Sequence, residues 1–370
     1  MKIGILTYHR SHNYGALLQG IALREVLVRM GHQATFIDYW PAYHRHRYAL
    51  FSFHWMMSRK SLKEMLGYLL RCVIYYKIRK VRIKSFDSFI SEYVEPYTSS
   101  MDELYDVVVH GSDQIWRKQQ EMNSYNPIYF GKHDISAKLK ISYAASMGIL
   151  PKNKSDKNVL KELLTHLDVI SVRESGLKGL LEELGYTNVK HDIDPTLLLP
   201  ENFWVSRFGL KKSSERYALY YMIGNSFDVT ELKRYSKSKG LKLRIIKSRA
   251  EGKTSDSNIV TAGPLQFLQL IYGAEMVFTS SFHGLAFSLI FKKPFFASFI
   301  RNSGRAESLL SLTGINDRLL LPKSSIPRNV NKIDFSQVSG ALGLMATSSI
   351  ENLKKDISYL LANPEGPASR

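Results

Sequence analysis

Short apolar runs that end in polar loops and then pass into helical stretches recur through both halves of this 370-residue chain. That alternation is the pattern of open parallel α/β sheets, and it excludes all-helical and all-strand folds. The first unit is a strand over residues 3–8, a polar loop around Asn13, a helix carried by Leu17, Ile21, Leu23 and Leu27, and a strand over 34–37. Further strands are expected at 106–110, 141–145 and 169–172, with helices at 159–167 and 175–184. The second half repeats the alternation, with strands at 218–222, 243–246, 276–279 and 295–298 and helices at 229–238, 264–271 and 284–291. One hydrophobic core seldom serves so long a chain, so two Rossmann-like α/β domains are predicted: 1–200 and 201–345. Asp194-Pro195-Thr196 opens the connection between them. Within 346–370, a C-terminal helix and tail, Ser348 and Glu351 at capping-box spacing announce a last helix that carries Ile350, Leu353, Ile357 and Leu360 and stops at Asn363-Pro364, with a disordered tail beyond.

The formal charge of +18 calls for an anionic partner. Residues 43–84 contain eleven Lys or Arg against Glu64 alone, interleaved with Phe51, Phe53, Trp55 and Tyr75. This composition suits either an interfacial helix docked on an anionic membrane or ordinary helices with a solvated basic face. No apolar run approaches the length of a spanning helix, and the start lacks the pattern of a secretory signal, so a cytoplasmic protein, peripheral on the inner face of the plasma membrane, is expected. A single cysteine, Cys72, precludes an internal disulfide and cysteine-rich metal sites. No compact His and carboxylate cluster at metal-ligand spacing is present, so no metal and no cofactor are expected, and no nucleic-acid-binding signature is found.

Loops at the carboxyl ends of parallel strands are where ligands bind. The most informative is Thr279-Ser280-Ser281-Phe282-His283-Gly284, where a strand turns through small polar residues into an apolar helix whose free N–H groups suit an anion. There Ser280, Ser281 and Gly284 are candidate anion binders, and His283 is either a helix cap or a proton donor. Arg173, directly after the strand over 169–172, is placed to fork onto a carboxylate or phosphate. Asp113 either accepts hydrogen bonds and acts as a base or caps the turn it begins, with Gln114 beside it. Asn13, Tyr14 and Gly15 follow the first strand and are expected to face the cleft from the N-terminal domain. Arg301 and Arg305, in the loop at 301–305, are surface arginines on their residue type alone. Asp194 is expected to orient the hinge.

Seven segments in order, Asn13-Tyr14-Gly15, Phe36-Ile37-Asp38-Tyr39, Gly111-Ser112-Asp113-Gln114, Ser142-Tyr143-Ala144-Ala145-Ser146, Ser171-Val172-Arg173-Glu174, Asp194-Pro195-Thr196 and Ser281-Phe282-His283-Gly284, resemble those of the polysaccharide pyruvyl transferases. The resemblance implies a GT-B-like fold, two Rossmann-like domains facing a cleft, with the acceptor on the N-terminal side and the donor on the C-terminal side. It also implies transfer from phosphoenolpyruvate, a co-substrate, to two hydroxyls of a sugar, which could be lipid-linked, leaving a cyclic ketal and free phosphate. By the same analogy His283 is the general acid and Arg173 helps to hold the donor. Many members carry arginine where this chain has Phe282, which makes Arg301 or Arg305 the substitute cation. The alternative is a GT-B-type glycosyltransferase using a nucleotide-activated sugar.

Overall fold

A computed structural model describes residues 1–59, 61–119, 123–301 and 303–362. The opening unit is β1 (Lys2–Leu6), α1 (Tyr14–Arg29) and β2 (Gln33–Ile37). Four helices then interrupt the sheet: α2 (Ala42–Tyr48), α3 (Phe53–Met57), α4 (Leu62–Ile74) and α5 (Tyr76–Tyr93). The chain returns through β3 (Thr98–Ser99), β4 (Tyr105–Gly111), β5 (Ala137–Tyr143), α6 (Lys154–Leu164), β6 (Ser171–Val172), α7 (Ser175–Glu183) and β7 (Lys190–His191). A turn at Pro195–Leu198 and α8 (Glu201–Phe208) lead to β8 (Tyr217–Met222), α9 (Val229–Ser238), β9 (Lys242–Lys247), β10 (Asn258–Ile259), α10 (Pro264–Gly273), β11 (Met276–Thr279), α11 (Phe282–Ile290), β12 (Phe295–Ala297), α12 (Gly304–Thr313) and α13 (Phe335–Ala362).

Two five-stranded parallel sheets result, in the orders β3-β2-β1-β4-β5 and β10-β9-β8-β11-β12, with β6 and β7 paired beside the first. The orders are the same in the two sheets: each places its first strand beside its second and fourth. This doubled Rossmann-like arrangement around a cleft is the GT-B-like architecture expected from the sequence. Strands buried on both faces read as continuous apolar runs, as in Val107-Val108-Val109 of β4. The period of two still sorts their side chains: Val107 and Val109 enter the core shared by the two sheets, and Val108 enters the cluster on the opposite face with Ile115 and Trp116. In β8, Tyr217, Leu219 and Tyr221 likewise face the shared core, and Ala218 and Tyr220 face the far side. Leu197, Leu198, Trp204 and Phe208 belong to that same shared core, so the connecting segment is itself packed.

Several boundaries differ from expectation. The last helix starts at Phe335, well before Ser348, because the Asp334 carboxylate accepts from the N–H groups of Ser336 and Gln337 and caps it there. Ser349 lies inside that helix, and its hydroxyl accepts from the backbone N–H of Ile193, docking α13 on the first half of the chain. The basic stretch extends to Tyr93 as four helices. Arg305 lies in the first turn of α12, outside the loop assigned to it. Lys60, Asn302, the predicted stop at Asn363-Pro364 and the tail beyond lie outside the described residues, as does the side chain of Leu360.

Candidate functional site

The cleft, about 950 Å³, opens where the carboxyl ends of the strands from both sheets meet. Asn13 ends the loop after β1 and caps α1: its Oδ1 accepts from Gly15 N–H at 3.0 Å. This leaves Asn13 on the cleft and turns Tyr14 away from it. The Tyr14 hydroxyl donates to the Ala262 carbonyl at 2.8 Å and its ring stacks on Phe267 at 4.4 Å, so Tyr14 joins the two halves and its polar end is committed. Gly15 has a different reason to be there. A Cβ on it would come within 1.9 Å of His283 Nδ1, so the absence of a side chain is what lets the imidazole of the second half rest on α1 of the first.

His283 stands in the first turn of α11, where Leu285 is the first residue to donate within the helix, to Ser281 O at 3.0 Å. The N–H groups of Phe282, His283 and Gly284 thus precede the helical ladder, at the positive end of the helix. Gly284 permits this turn to lie flat on β11, since a Cβ would meet Thr279 Oγ1 at 2.1 Å. Ser280 lines the cleft, but its hydroxyl accepts from the N–H groups of Ile223 (2.8 Å) and Gly224 (3.2 Å), anchoring the loop after β8. Ser281 lines the cleft and is buried.

Behind this turn lies a group of buried charges. Arg173 ion-pairs with Asp194 through Nη1, and its Nη2 is 3.7 Å from Asp113 Oδ1. Asp194 Oδ2 is 3.4 Å from His283 Nε2, and Asp194 Oδ1 accepts from Thr196 Oγ1 at 2.7 Å and Thr196 N–H at 3.0 Å. Burial works to raise the Asp194 carboxyl, but the adjacent His283 and Arg173 outweigh it and hold the group well below the usual carboxylate range. Asp194 is therefore an anion shared by the arginine and the histidine as well as the cap of the Pro195 turn. The motif Asp194-Pro195-Thr196 was visible in the sequence, but only the fold brings it to Arg173 and His283. Arg173 does not pair with its neighbour Glu174, which accepts from Ser146 Oγ and has Arg305 Nε 3.9 Å away.

Phe282 is approached by two guanidinium groups: Arg173 at 5.0 Å and Arg305 at 5.2 Å from the ring centre. Arg305 and Phe282 line the cleft, whereas Arg173 lies one layer back. Burial and then the neighbouring Arg173 charge push Arg305 down to about 10. Arg301 is exposed at the mouth. Asp113 reaches the cleft from the end of β4 in a left-handed conformation (φ 63°), with Gln114 next to it. Several buried polar atoms of this group make no hydrogen bond within the protein, namely Arg173 Nε and Nη2, Glu174 Oε2, His283 Nε2 and Arg305 Nε. Such a concentration is costly to fold and is typical of functional sites.

Sequence reading missed the other wall. Arg47, Arg59, Arg71, Arg79 and Arg82, from the α2–α5 insertion, all line the cleft, together with Trp55, Tyr68 and Tyr75. The insertion's described lysines, Lys63, Lys77, Lys80 and Lys84, are exposed outside it. Arg79 and Arg82, in the stretch for which the sequence left a membrane-docked and a solvated basic face both open, are tied down: Arg79 Nη2 donates to Ala49 O at 2.9 Å, and Arg82 Nη1 donates to Lys247 O at 3.0 Å and Val260 O at 3.1 Å in the second half. Charge counting along the chain cannot separate these two populations, because the arginines and lysines alternate within the same helices.

No curated protein matches the chain at significant sequence similarity. Among solved structures, it is similar to the UDP-N-acetylglucosamine 2-epimerase of Rickettsia bellii (10% identity, TM-score 0.44, 97% of each chain covered), to the UDP-GlcNAc 2-epimerase of Methanocaldococcus jannaschii (12%, 0.45, 97% of this chain and 100% of that one) and to the glycosyltransferase SnogD of Streptomyces nogalater (10%, 0.41, 98% and 99%). At such TM-scores these likenesses say nothing about chemistry. The model of the polysaccharide pyruvyl transferases, by contrast, matches residues 13–299, from the cap of α1 to the end of the second sheet, and takes in Asp113, Arg173, Asp194 and His283: the chain belongs to the polysaccharide pyruvyl transferase family.

Proposed function

We propose that the protein transfers the enolpyruvyl unit of phosphoenolpyruvate to two hydroxyls of a sugar, forming a cyclic pyruvate ketal. The observation that carries this reading is the Asp194 carboxylate set between Arg173 and His283 at the start of α11. The donor's methylene carbon takes a proton from the His283 imidazole, which lines the cleft with Asp194 beside its Nε2. A sugar hydroxyl then bonds to the central carbon, and its proton passes to Asp113. The C–O bond to phosphate breaks, a second hydroxyl closes the ketal, and that hydroxyl's proton leaves with phosphate or solvent. The α11 N–H groups, with Ser281, receive the phosphate. Arg305 and Arg301 supply the cationic charge at the cleft for the donor's anionic groups, and Arg173, one layer back, orients Asp194 and through it the imidazole. The acceptor enters along Asn13 and Gln114.

Among the described residues no helix is long and apolar enough to cross a membrane. The outer face of α4 exposes Leu62, Leu66, Leu70 and Val73, the last at 75%. Together with the exposed Lys63 of α4 and Lys77, Lys80 and Lys84 of α5, this face is proposed to rest on an anionic bilayer.

Acceptor-dependent release of phosphate from phosphoenolpyruvate tests the central reading. His283→Ala should lower turnover roughly a hundredfold or more, the scale of a lost general acid, with the fold unchanged. Near-normal turnover would remove His283 from the mechanism. Release of a nucleoside diphosphate from a nucleotide sugar, with none of phosphate, would replace pyruvyl transfer by glycosyl transfer.

A further inference from the structure

The cleft holds more positive charge than its donor can use. Among the described residues ten Arg or Lys side chains line it, one of which, Lys118, is ion-paired with Asp156 beside the cleft, against two lining carboxylates, Asp113 and Glu251. A phosphate monoester carries roughly −1.5 to −2 at neutral pH, and the donor's carboxylate adds a single charge. Arg301, Arg305 and the α11 N–H groups at the His283 end already answer that. A neutral sugar would bring no counter-charge to the rest of the cleft.

The surplus is concentrated on the α2–α5 wall, and it is selected by residue type. Every described cation that the insertion contributes to the cleft is arginine, while its described lysines point elsewhere. Arginine presents a rigid fork to phosphate oxygens, which an ammonium does not. Arg59 is the most telling. Its guanidinium lies 5.1 Å from the Trp55 ring and 5.7 Å from the Tyr68 ring, and its buried Nε has no hydrogen-bond partner. Arg71 is exposed on the same wall, and Arg117 and Arg249 are exposed on the cleft from other segments. Arg79 and Arg82 are held by carbonyls, so their charges stay un-neutralised by those contacts.

We infer that this wall is a second anion subsite, remote from the donor end, and that it binds the diphosphate through which the sugar acceptor is carried. The inference rests on the pyruvyl-transfer reading for the word acceptor, but the subsite itself rests on the arginines. A diphosphate held here directs its attached sugar along the cleft toward Asp113 and His283, with Trp55, Tyr68 and Tyr75 as apolar surfaces beside it. A lipid diphosphate and a nucleoside diphosphate share this chemistry.

The test is calorimetric binding of inorganic pyrophosphate, farnesyl diphosphate and uridine diphosphate to the full chain without donor, followed by the same titrations on Arg59→Gln/Arg71→Gln. Pyrophosphate should bind with an affinity that falls as salt rises, and the double variant should bind it at least tenfold more weakly while keeping its affinity for phosphoenolpyruvate. Arg71→Gln alone, at an exposed position, should show part of the loss if the double variant does not fold. Tighter binding of farnesyl diphosphate than of pyrophosphate assigns the lipid source, and tighter binding of uridine diphosphate assigns the nucleotide. Equal binding of all three supports a site that reads diphosphate alone. No pyrophosphate binding, or binding that the substitutions leave unchanged, overturns the subsite. Because binding is read without turnover, missing phosphoenolpyruvate-dependent activity would count against pyruvyl transfer and not against this wall.

Discussion

Gly15→Ala is the smallest change that should disable the site. The new methyl would lie 1.9 Å from His283 Nδ1 and 2.3 Å from Cγ and Cε1. Ordinary contact between such atoms begins near 3.5 Å, so a gap of about 1.5 Å must open. Neither helix can easily supply it. The start of α1 is fixed by the Asn13 cap and by the Tyr14 contacts with Ala262 and Phe267, and the start of α11 is fixed by Gly284 lying on Thr279. The imidazole must therefore swing, carrying Nε2 away from its place 3.4 Å from Asp194. A misplacement of about 1 Å at a reacting group costs on the order of a hundredfold in rate, or about 2.7 kcal/mol of barrier. Stability should change less, because overpacking of roughly 1–3 kcal/mol is partly offset by the 0.5–1 kcal/mol or so that alanine gains over glycine in a helix. The assay is acceptor-dependent phosphate release alongside a thermal melt, with His283→Ala and the double variant completing a cycle. We expect turnover down about a hundredfold, a melting shift of only a few degrees and no further loss of activity when His283→Ala is added. Turnover within threefold of the unmodified protein would show that the imidazole's seat on α1 has no part in the reaction.

Replacing Arg173 by methionine should destabilise the fold by about 3–5 kcal/mol, since the buried Asp194 would lose its ion pair. Arg173→Lys should be milder in a melt yet still slow turnover, because a point charge cannot span Asp194 and Asp113; equal effects from the two would deny the fork any role. Burial drives His44 and His110 down to about 3 and His9 to about 4. The unfolded chain takes up those protons near pH 6.5, so the stability they carry is complete above that pH and is lost as pH falls toward the folded values. For His44 the loss by pH 4 is on the order of 3 kcal/mol, and a melting temperature flat from pH 7 to 4.5 would contradict it. Exchanging Lys63, Lys77, Lys80 and Lys84 for glutamine should weaken sedimentation with anionic vesicles by more than a hundredfold, at about 1 kcal/mol per charge, and an unmodified protein that ignores such vesicles at low salt would end the membrane reading.

The sheets were legible because buried parallel strands leave an unmistakable apolar record, and Val229–Ser238 and Met276–Thr279 are found at the expected bounds. Short edge strands such as β3, β7 and β10, two residues each, leave no such record. The start of α13 was missed because Ser348 and Glu351 satisfy a capping pattern by spacing alone, while Asp334 does the capping. At the site, His283 and Arg173 stood out as polar residues at strand ends. Asp194 did not, since a carboxylate before proline reads as a turn residue until its partners are known. The insertion arginines were counted but could not be placed, because orientation toward the cleft depends on contacts such as those of Arg82 with Lys247 and Val260, far away in the chain.

The seating of His283 on Gly15 has one more consequence. The proposed proton donor belongs to the second half of the molecule and its backing belongs to the first, so the geometry proposed for the reaction is a property of their junction and of neither part alone. Parting α1 from α11 would remove the floor beneath the imidazole. Proton delivery would then be silenced at the first increment of opening, and an enol phosphate arriving in the open molecule would meet an idle histidine. On the proposed reaction, waste of donor to water would thereby be discouraged mechanically, through the absence of one side chain.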